Sequence, residues 1–404
     1  MSVSMFVLGL LSTLAMGLTL LSRGAVFWTL RDKVPLHKAE ALPGISVLRP
    51  LCGADPDLEG NLRAMAQQRY PRFEILVGAK DPHDPALKAA RAVAQDHPDR
   101  VRIITGAPRL GHNPKVSNLA HLSRFARFDV HLISDADTRP PPTYLQAMAV
   151  ELMQPGVELV HSHVVGDQER SLGARLDTLH LAGFVAGGVA AAKMVAGTSC
   201  VVGKSMMYRS SVLRTLGGLS MVKDFLAEDY VLGRRFERAG HLVRLSSLVL
   251  PTVRSDTSVM RYLQRHTRWA QMRRAISPAA YALELLANPM PLVLALLWSM
   301  HCVPPSSTST AIPHGLAALL MLVKYTADVV VLARLRGTME LGHLFLLPLH
   351  ELLLLWIWCA GLVSQKVDWR GTTFLLGPGS RWRAHGDRTV PLVAIPTPRE
   401  ELIA

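Results

Sequence analysis

Two aspartates one residue apart, Asp135 and Asp137, follow directly on the apolar run VHLIS. In an extended chain, residues two apart point the same way, so both carboxylates leave the strand end on one side. A hard divalent cation, Mg2+ or Mn2+, takes such oxygens together with substrate phosphates. Taken alone, an Asp-x-Asp is more often a polar turn that closes a strand. Its company alters the balance, because Asp81 and Asp84 in AKDPHDPA end the earlier run FEILVG, and all four carboxylates could meet along one sheet edge. Glu228 and Asp229, in FLAEDYVLGRRF, stand at the start of a helical run. Such a pair can complement the helix dipole, or one carboxylate can serve as a general base toward an attacking hydroxyl.

Downstream, RYLQRHTRWAQMRR combines helical period with dense positive charge. Arg265 and Arg268 are three apart and Arg265 and Trp269 four apart, so the three share a face and could clamp a diphosphate beside an aromatic surface. A basic helix lying on a membrane is the competing reading, and both can hold. Lys115 and Asn118 in GHNPKVSNL suit phosphate or ribose contact, or an ordinary helix surface. Other signals carry less. GTSCVVGKS resembles a phosphate loop, but five residues separate Gly197 from Gly203 where that motif requires four. His161 and His163 lack a third metal ligand at a convincing spacing and read as a packed or hydrogen-bonded pair.

These side chains need a scaffold. ISVLRP, FEILVGAK, VRIITG, DVHLISDAD and ELVHSHVV read as strands by their β-branched content and their Pro, Gly or Asp ends. Between them, DLEGNLRAMAQQ, DPALKAARAVAQ, VSNLAHLSRFA and PTYLQAMAVELM carry apolar residues at helical spacing. Alternation of this kind predicts an α/β fold, a parallel doubly wound sheet with ligands at the C-terminal strand ends.

The series Asp81, Asp135-x-Asp137, Glu228-Asp229 and Arg265-x-x-Arg268-Trp269 resembles the D, DxD, ED and (Q/R)xxRW series of inverting, membrane-bound GT-A glycosyltransferases. More closely, SVLRPLCGADPDLEGNL, DPHDPA, NPKVSNL, AEDYVLGRRF and RHTRW resemble ceramide glucosyltransferase and its bacterial relatives, over about residues 45 to 290. The resemblance implies a UDP-sugar donor, a divalent metal (Mg2+ or Mn2+) and a membrane lipid acceptor, with glucose passing to ceramide or a sphingolipid. It implies that Asp81 holds the nucleotide of the donor, that Asp135 and Asp137 hold metal and diphosphate, and that Asp229 is the base. Arg265, Arg268 and Trp269 would close over diphosphate and acceptor. A histidine of the animal enzymes after the DxD has no good match here, where the chain reads LAGFVAGG, so another lipid such as a hopanoid stays open as acceptor.

The 404 residues carry a formal charge of +13 and are 49% hydrophobic but only 19% charged. Such a composition excludes disorder and collagen. Cys52, Cys200, Cys302 and Cys359 are scattered, which argues against a zinc cage or disulfide framework and for a reducing compartment. The apolar excess lies at the ends. An N-terminal transmembrane helix and linker occupies 1–40, the GT-A catalytic domain with its basic interfacial helix 41–282, a C-terminal membrane region 283–363, and a basic tail 364–404. The run from Met5 to Leu30 is long enough to cross a bilayer. Arg31, Lys33 and Lys38 after it favour a retained anchor over a cleaved signal and place the catalytic domain on the cytoplasmic face, for instance of a bacterial inner membrane.

Three further stretches, Leu283 to Val303, Ile312 to Leu335 and Leu341 to Val363, are apolar enough to cross. A third C-terminal crossing would leave Lys366, Arg370, Arg381, Arg383 and Arg388 outside, so the last stretch, with Pro348, His350 and Glu351, reads as a re-entrant or interfacial hairpin, with a full crossing the alternative. The glycine-rich run Leu181 to Gly197 reads as packing at the membrane surface. A non-catalytic adaptor holding anionic lipid is the alternative from another class, but it has no use for the carboxylate series. Spread-out basic residues without a recognised binding module argue against a nucleic-acid partner.

Overall fold

In the computed structural model, residues 3–31, 42–301, 311–338, 340–369 and 372–384 are described. Lys33, Lys38, Cys302, the PPSSTST segment, Arg370 and Arg388 lie outside them.

A long apolar helix, α1 (Val3–Thr29), leads into alternating strands and helices: β1 (Ile45–Leu51), α2 (Leu58–Ala66), β2 (Phe73–Ala79), α3 (Ala86–Asp96), β3 (Val101–Thr105), α4 (Pro114–Ser123), β4 (Val130–Ser134), α5 (Tyr144–Leu152) and β5 (Val157–Asp167). The five strands and four helices read from the sequence are all present. α6 (Leu172–Leu179) then passes through a π-helix (His180–Val185) into α7 (Ala186–Ala196), followed by β6 (Ser205–Arg209), α8 (Ser210–Thr215), α9 (Glu228–Arg238) and β7 (Leu242–Val253). The seven strands lie in the order β3-β2-β1-β4-β6-β5-β7.

The sheet departs at one strand from the wholly parallel arrangement that the alternation predicts. β6 pairs antiparallel with β4 on one side and β5 on the other, while the remaining pairs are parallel. β6 returns straight from the glycine turn at 197 and 203, so it enters the sheet reversed and delivers that turn to the C-terminal ends of its neighbours. Ile45, Val47, Leu48, Ile75, Leu76 and Val77 are buried, as strands covered on both faces require.

α10 (Val259–Ile276) follows β7, and after it come α11 (Pro278–Leu286), α12 (Pro289–His301), α13 (Ala311–Arg336) and α14 (Gly342–Val363). Among the described residues, five apolar units are long enough to cross a membrane if α11 and α12, which meet at 52°, are one span. Packing separates them. Met5 of α1 packs with Leu296 and Met300, Met16 with Val293 and Leu320, and Val26 and Leu30 with Val331 and Leu335. Thus α1, α12 and α13 form one bundle that leads away from the sheet. Thr29 Oγ1 lies 2.9 Å from His163 Nε2 on β5, and Arg336 Nη1 pairs with Glu169 at 3.1 Å, fixing the near ends of α1 and α13 to the sheet.

The other two units return to the catalytic unit at both ends. Residues 172–196 are held by Ser171 Oγ donating to Thr257 O (2.8 Å) at one end and Lys193 Nζ donating to Val243 O (2.9 Å) at the other. α14 begins with His343 Nε2 3.7 Å from Glu169 and ends with Ser364 O accepting from Gln271 and Arg274 of α10. The hairpin predicted there is a single continuous helix despite Pro348. Both of its ends therefore contact the catalytic unit.

The basic tail also differs from expectation over its first part. β8 (Lys366–Trp369), β9 (Thr372–Leu376) and β10 (Trp382–Ala384) form an antiparallel sheet. Val367, Leu376 and Trp382 pack on Leu226, and Leu226 N and Trp382 N donate to Ser380 O and Asp224 O. The C-terminal sheet therefore braces the loop that enters α9.

Candidate active site

β4 ends at Ser134, and the two aspartates follow at the C-terminal edge beside β6, where Asp135 N donates to Lys204 O at 3.2 Å. α4 comes in from the other side. Asn113 caps it, its Oδ1 accepting from Lys115 N and Val116 N, with Pro114 in the first turn where the missing N–H costs nothing. Lys115 thus projects into the edge, its Nζ 2.9 Å from Asp135 Oδ1, 3.0 Å from Glu228 Oε1 and 3.4 Å from Gly203 O. Glu228 and Asp229 form the first turn of α9, and Asp229 Oδ2 accepts from Gly203 N at 2.6 Å. Three carboxylates from two loops therefore converge on a lysine from a third.

Asp137 faces a second set of cations. Lys204 Nζ binds its Oδ2, and Arg254 Nε lies 3.4 Å from the same oxygen. Beneath them Arg49, at the end of β1, is fully buried, with Nη2 donating to Thr138 O (2.7 Å). Burial lowers its pKa to about 10, which leaves it charged at neutral pH. Burial opposes charge on Asp137, but Lys204 and Arg254 outweigh it and hold the carboxyl below its usual range. Burial also works against the Lys115 ammonium, and Asp135, Glu228 and Asp229 together hold it protonated. Asp229 goes the other way: burial and the adjacent Glu228 raise it to about 7, against the opposing pull of Lys115.

Not every residue singled out from sequence joins this cluster. Asp81 closes β2, two strands away from β4 across β1, a lateral separation of about 10 Å by strand spacing. It is exposed, and its Oδ1 accepts from His83 N at 2.8 Å. Asp84 accepts from Gly53 N and Ala86 N, a turn contact. Asn118 is buried and donates to Gly78 O at 2.7 Å, so it ties α4 to β2. Arg265, Arg268 and Trp269 share α10 as their spacing requires. Arg265 Nη1 is 3.0 Å from Asp177 on α6, His266 Nε2 is 2.6 Å from the same carboxylate, and Trp269 stands edge-on to His266 with centroids 5.2 Å apart. Asp177 lies close enough to Asp137 for the two charges to repel, which brings α10 to the same end of the sheet. His161 and His163 are buried on β5, with His163 Nε2 against Thr29 Oγ1 and neither ring nitrogen of His161 hydrogen-bonded among the described residues.

Sequence reasoning missed Arg49, Lys204, Arg254 and Asp177. Lys204 left a signal: a lysine inside the apolar run VVGKSMMY cannot sit in a strand without a partner. The segment is no phosphate loop, yet its Gly203 N–H and Lys204 ammonium both reach the carboxylates.

A mixed α/β sheet with Asp-x-Asp at its C-terminal edge and an acidic pair at a facing helix start defines a GT-A glycosyltransferase. The profile of the family described as Glycosyl transferase family 21 matches residues 5–382, and the chain belongs to that family. It is 25% identical over 360 residues to ceramide glucosyltransferase 3 of Caenorhabditis elegans, covering 85% of this chain and 76% of that protein. A ceramide glucosyltransferase of Pyricularia oryzae is 25% identical over 427 residues, covering 85% and 86%. Among solved structures, the mannosyltransferase PcManGT from Pyrobaculum calidifontis, in complex with GDP-Man and Mn2+, is similar at a TM-score of 0.50 and 18% identity, covering 89% of this chain and 98% of that one. This likeness concerns the fold.

Proposed function

We propose that this glycosyltransferase moves a hexose, glucose foremost, from a UDP-sugar to the hydroxyl of a membrane lipid such as ceramide, with inversion, on the cytoplasmic face. The observation that carries the reading is the convergence of Asp135, Asp137, Glu228 and Asp229 on Lys115 and Lys204 at the strand ends. So many buried charges have no use in a lipid-holding adaptor and cost more than they return unless ligands use them.

The residues fit a divalent cation. Asp137 Oδ1 is buried without a hydrogen-bond partner among the described residues. No three acidic, histidine or cysteine side chains among them are grouped to hold an ion alone, so donor phosphates would complete the shell, as is usual for Mg2+. Bound there by Asp135 and Asp137, Mg2+ or Mn2+ would offset charge on the leaving diphosphate. Lys115 would bind phosphate once relieved of Asp135, and Arg265, Arg268 and Trp269 would close from α10. Asp81, at the far end of the edge, would bind the nucleoside. Asp229 takes the proton from the acceptor hydroxyl as its oxygen attacks the anomeric carbon, and a pKa near 7 suits a base working at neutral pH.

Supplying purified protein with labelled UDP-glucose, UDP-galactose and UDP-N-acetylglucosamine, in turn with ceramide and with a hopanoid alcohol, tests the reading. Transfer of label from UDP-glucose to ceramide is the expected result. Transfer to the hopanoid alone would move the acceptor, and binding of lipid without transfer of any sugar would remove the proposal.

A further inference from the structure

The histidines below the sheet have no part in the chemistry above. His266, joined to Asp177, stacks on His180 with centroids 3.7 Å apart, and His180 in turn lies 5.8 Å from His350 of α14. The three form a seam that descends from the catalytic edge toward the membrane helices. All three are buried, yet His180 Nε2, His266 Nδ1 and both nitrogens of His350 have no hydrogen-bond partner among the described residues. Glu351 Oε1, 3.6 Å from His350 Nδ1, is too far to supply one. Buried imidazoles left unsatisfied are costly, and a ligand is a common reason for them.

The local backbone points the same way. His180 opens the π-helix, a widened turn that recurs at functional sites, and Ala182, Gly183, His350 and Glu351 line a small cavity of water size. The charges around it are already paired. Arg23 binds Asp328 at 2.7 Å, and Lys324 binds both Asp328 (2.7 Å) and Glu351 (2.5 Å). With two cations and two anions matched, the site offers imidazole nitrogens, each of which can donate or accept, and no spare cation for a phosphate.

We infer that this seam, from His266 through the π-helix to His350, receives an uncharged polar group of the lipid acceptor, a second hydroxyl beside the hydroxyl that reacts. The inference rests on the lipid-transfer reading and adds to it where the acceptor head lies and why that head carries more than one polar group. A cavity of water size takes one hydroxyl. A site built to hydrogen-bond a hydroxyl also rejects the analogue that lacks it far more strongly than an apolar pocket distinguishes neighbours.

The test pairs substrate and protein changes in the full-length enzyme. Wild type is offered an N-acyl sphingoid base and its analogue with the second hydroxyl replaced by hydrogen, and so are His350→Phe, which keeps a ring but loses both nitrogens, and Gly183→Ala. A Cβ at Gly183 meets Arg23 and Asp328 at an ordinary 3.6 Å, so the alanine chain folds while part of the cavity is filled. Wild type should prefer the hydroxylated lipid at least tenfold in kcat/KM, both variants should lose most of that preference, and UDP affinity should stay unchanged in each. Equal preference in wild type and both variants overturns the inference, as does better transfer to a polyprenyl phosphate. A photoactivatable N-acyl sphingoid base separates the two readings. Crosslinks at the π-helix or α14 without any transfer would keep the seam and discard the reaction, and transfer with crosslinks elsewhere would do the reverse.

Discussion

Asp229 is poised between opposed influences: burial and Glu228 favour its proton, while Lys115 and the Gly203 and Tyr230 amides favour its charge. Because burial and Glu228 raise the folded carboxyl to about 7, the proposed base is charged only above that pH, and kcat/KM should climb through neutrality and level off on the alkaline side. Glu228→Gln removes the repelling neighbour and leaves Lys115 free to turn toward Asp229, so the limb should move to lower pH, as a pH–rate profile on both proteins would show. Asp229→Asn keeps shape but takes no proton; transfer should fall roughly 10²- to 10⁴-fold while UDP affinity holds. Near-normal transfer would pass the role to Glu228. Asp137→Asn acts on the other half of the reaction, because it leaves Lys204 and Arg254 facing a neutral amide and takes a hard oxygen from the cation. Titration calorimetry with UDP and Mn2+ should find binding weakened, and unchanged affinity would contradict the metal assignment.

At the scale of elements, what sequence reveals and what it hides divide along a physical line. β1 to β5 and α2 to α5 were legible because each buries a face whose period is written in its own residues. β6 was not, since its run follows a glycine turn and its reversed direction depends on the neighbours it joins. The carboxylates at strand ends could be read from the strands before them. Asp177 could not, because its significance lies in a contact with Arg265 and His266, 88 and 89 residues away. The C-terminal sheet was hidden for the same reason: KVDW and TTFLL are too short to register against their charged surroundings. Removing everything after Ser364 should leave the seven-stranded sheet folded, with far-ultraviolet dichroism little changed. It should nonetheless lower kcat by about 10²-fold, the cost of misplacing a catalytic group by about 1 Å, since Leu226 and Ala227 would lose the partners that fix the entry to α9. Full activity in the truncated chain would show that the brace is dispensable.

Taken whole, the molecule has three units leading away from the catalytic sheet and two that return to it. This arrangement predicts that Lys88 on α3 and Pro378 of the C-terminal sheet share one side of the membrane, with Ala311 at the start of α13 on the other. Single cysteines at the three positions in a background without Cys52, Cys200, Cys302 and Cys359, labelled in sealed vesicles with an impermeant maleimide, should separate two from one. Labelling of Pro378→Cys together with Ala311→Cys would mean that α14 crosses after all. The same arrangement bears on when the enzyme comes into being. The strands that brace Leu226 and Ala227 are the last described part of the chain to leave the ribosome, after every apolar unit has been made. A nascent chain can therefore assemble its seven-stranded sheet before the strands that fix the entry to α9 exist, so the segment that carries Glu228 and Asp229 is the last part of the edge to be held in place.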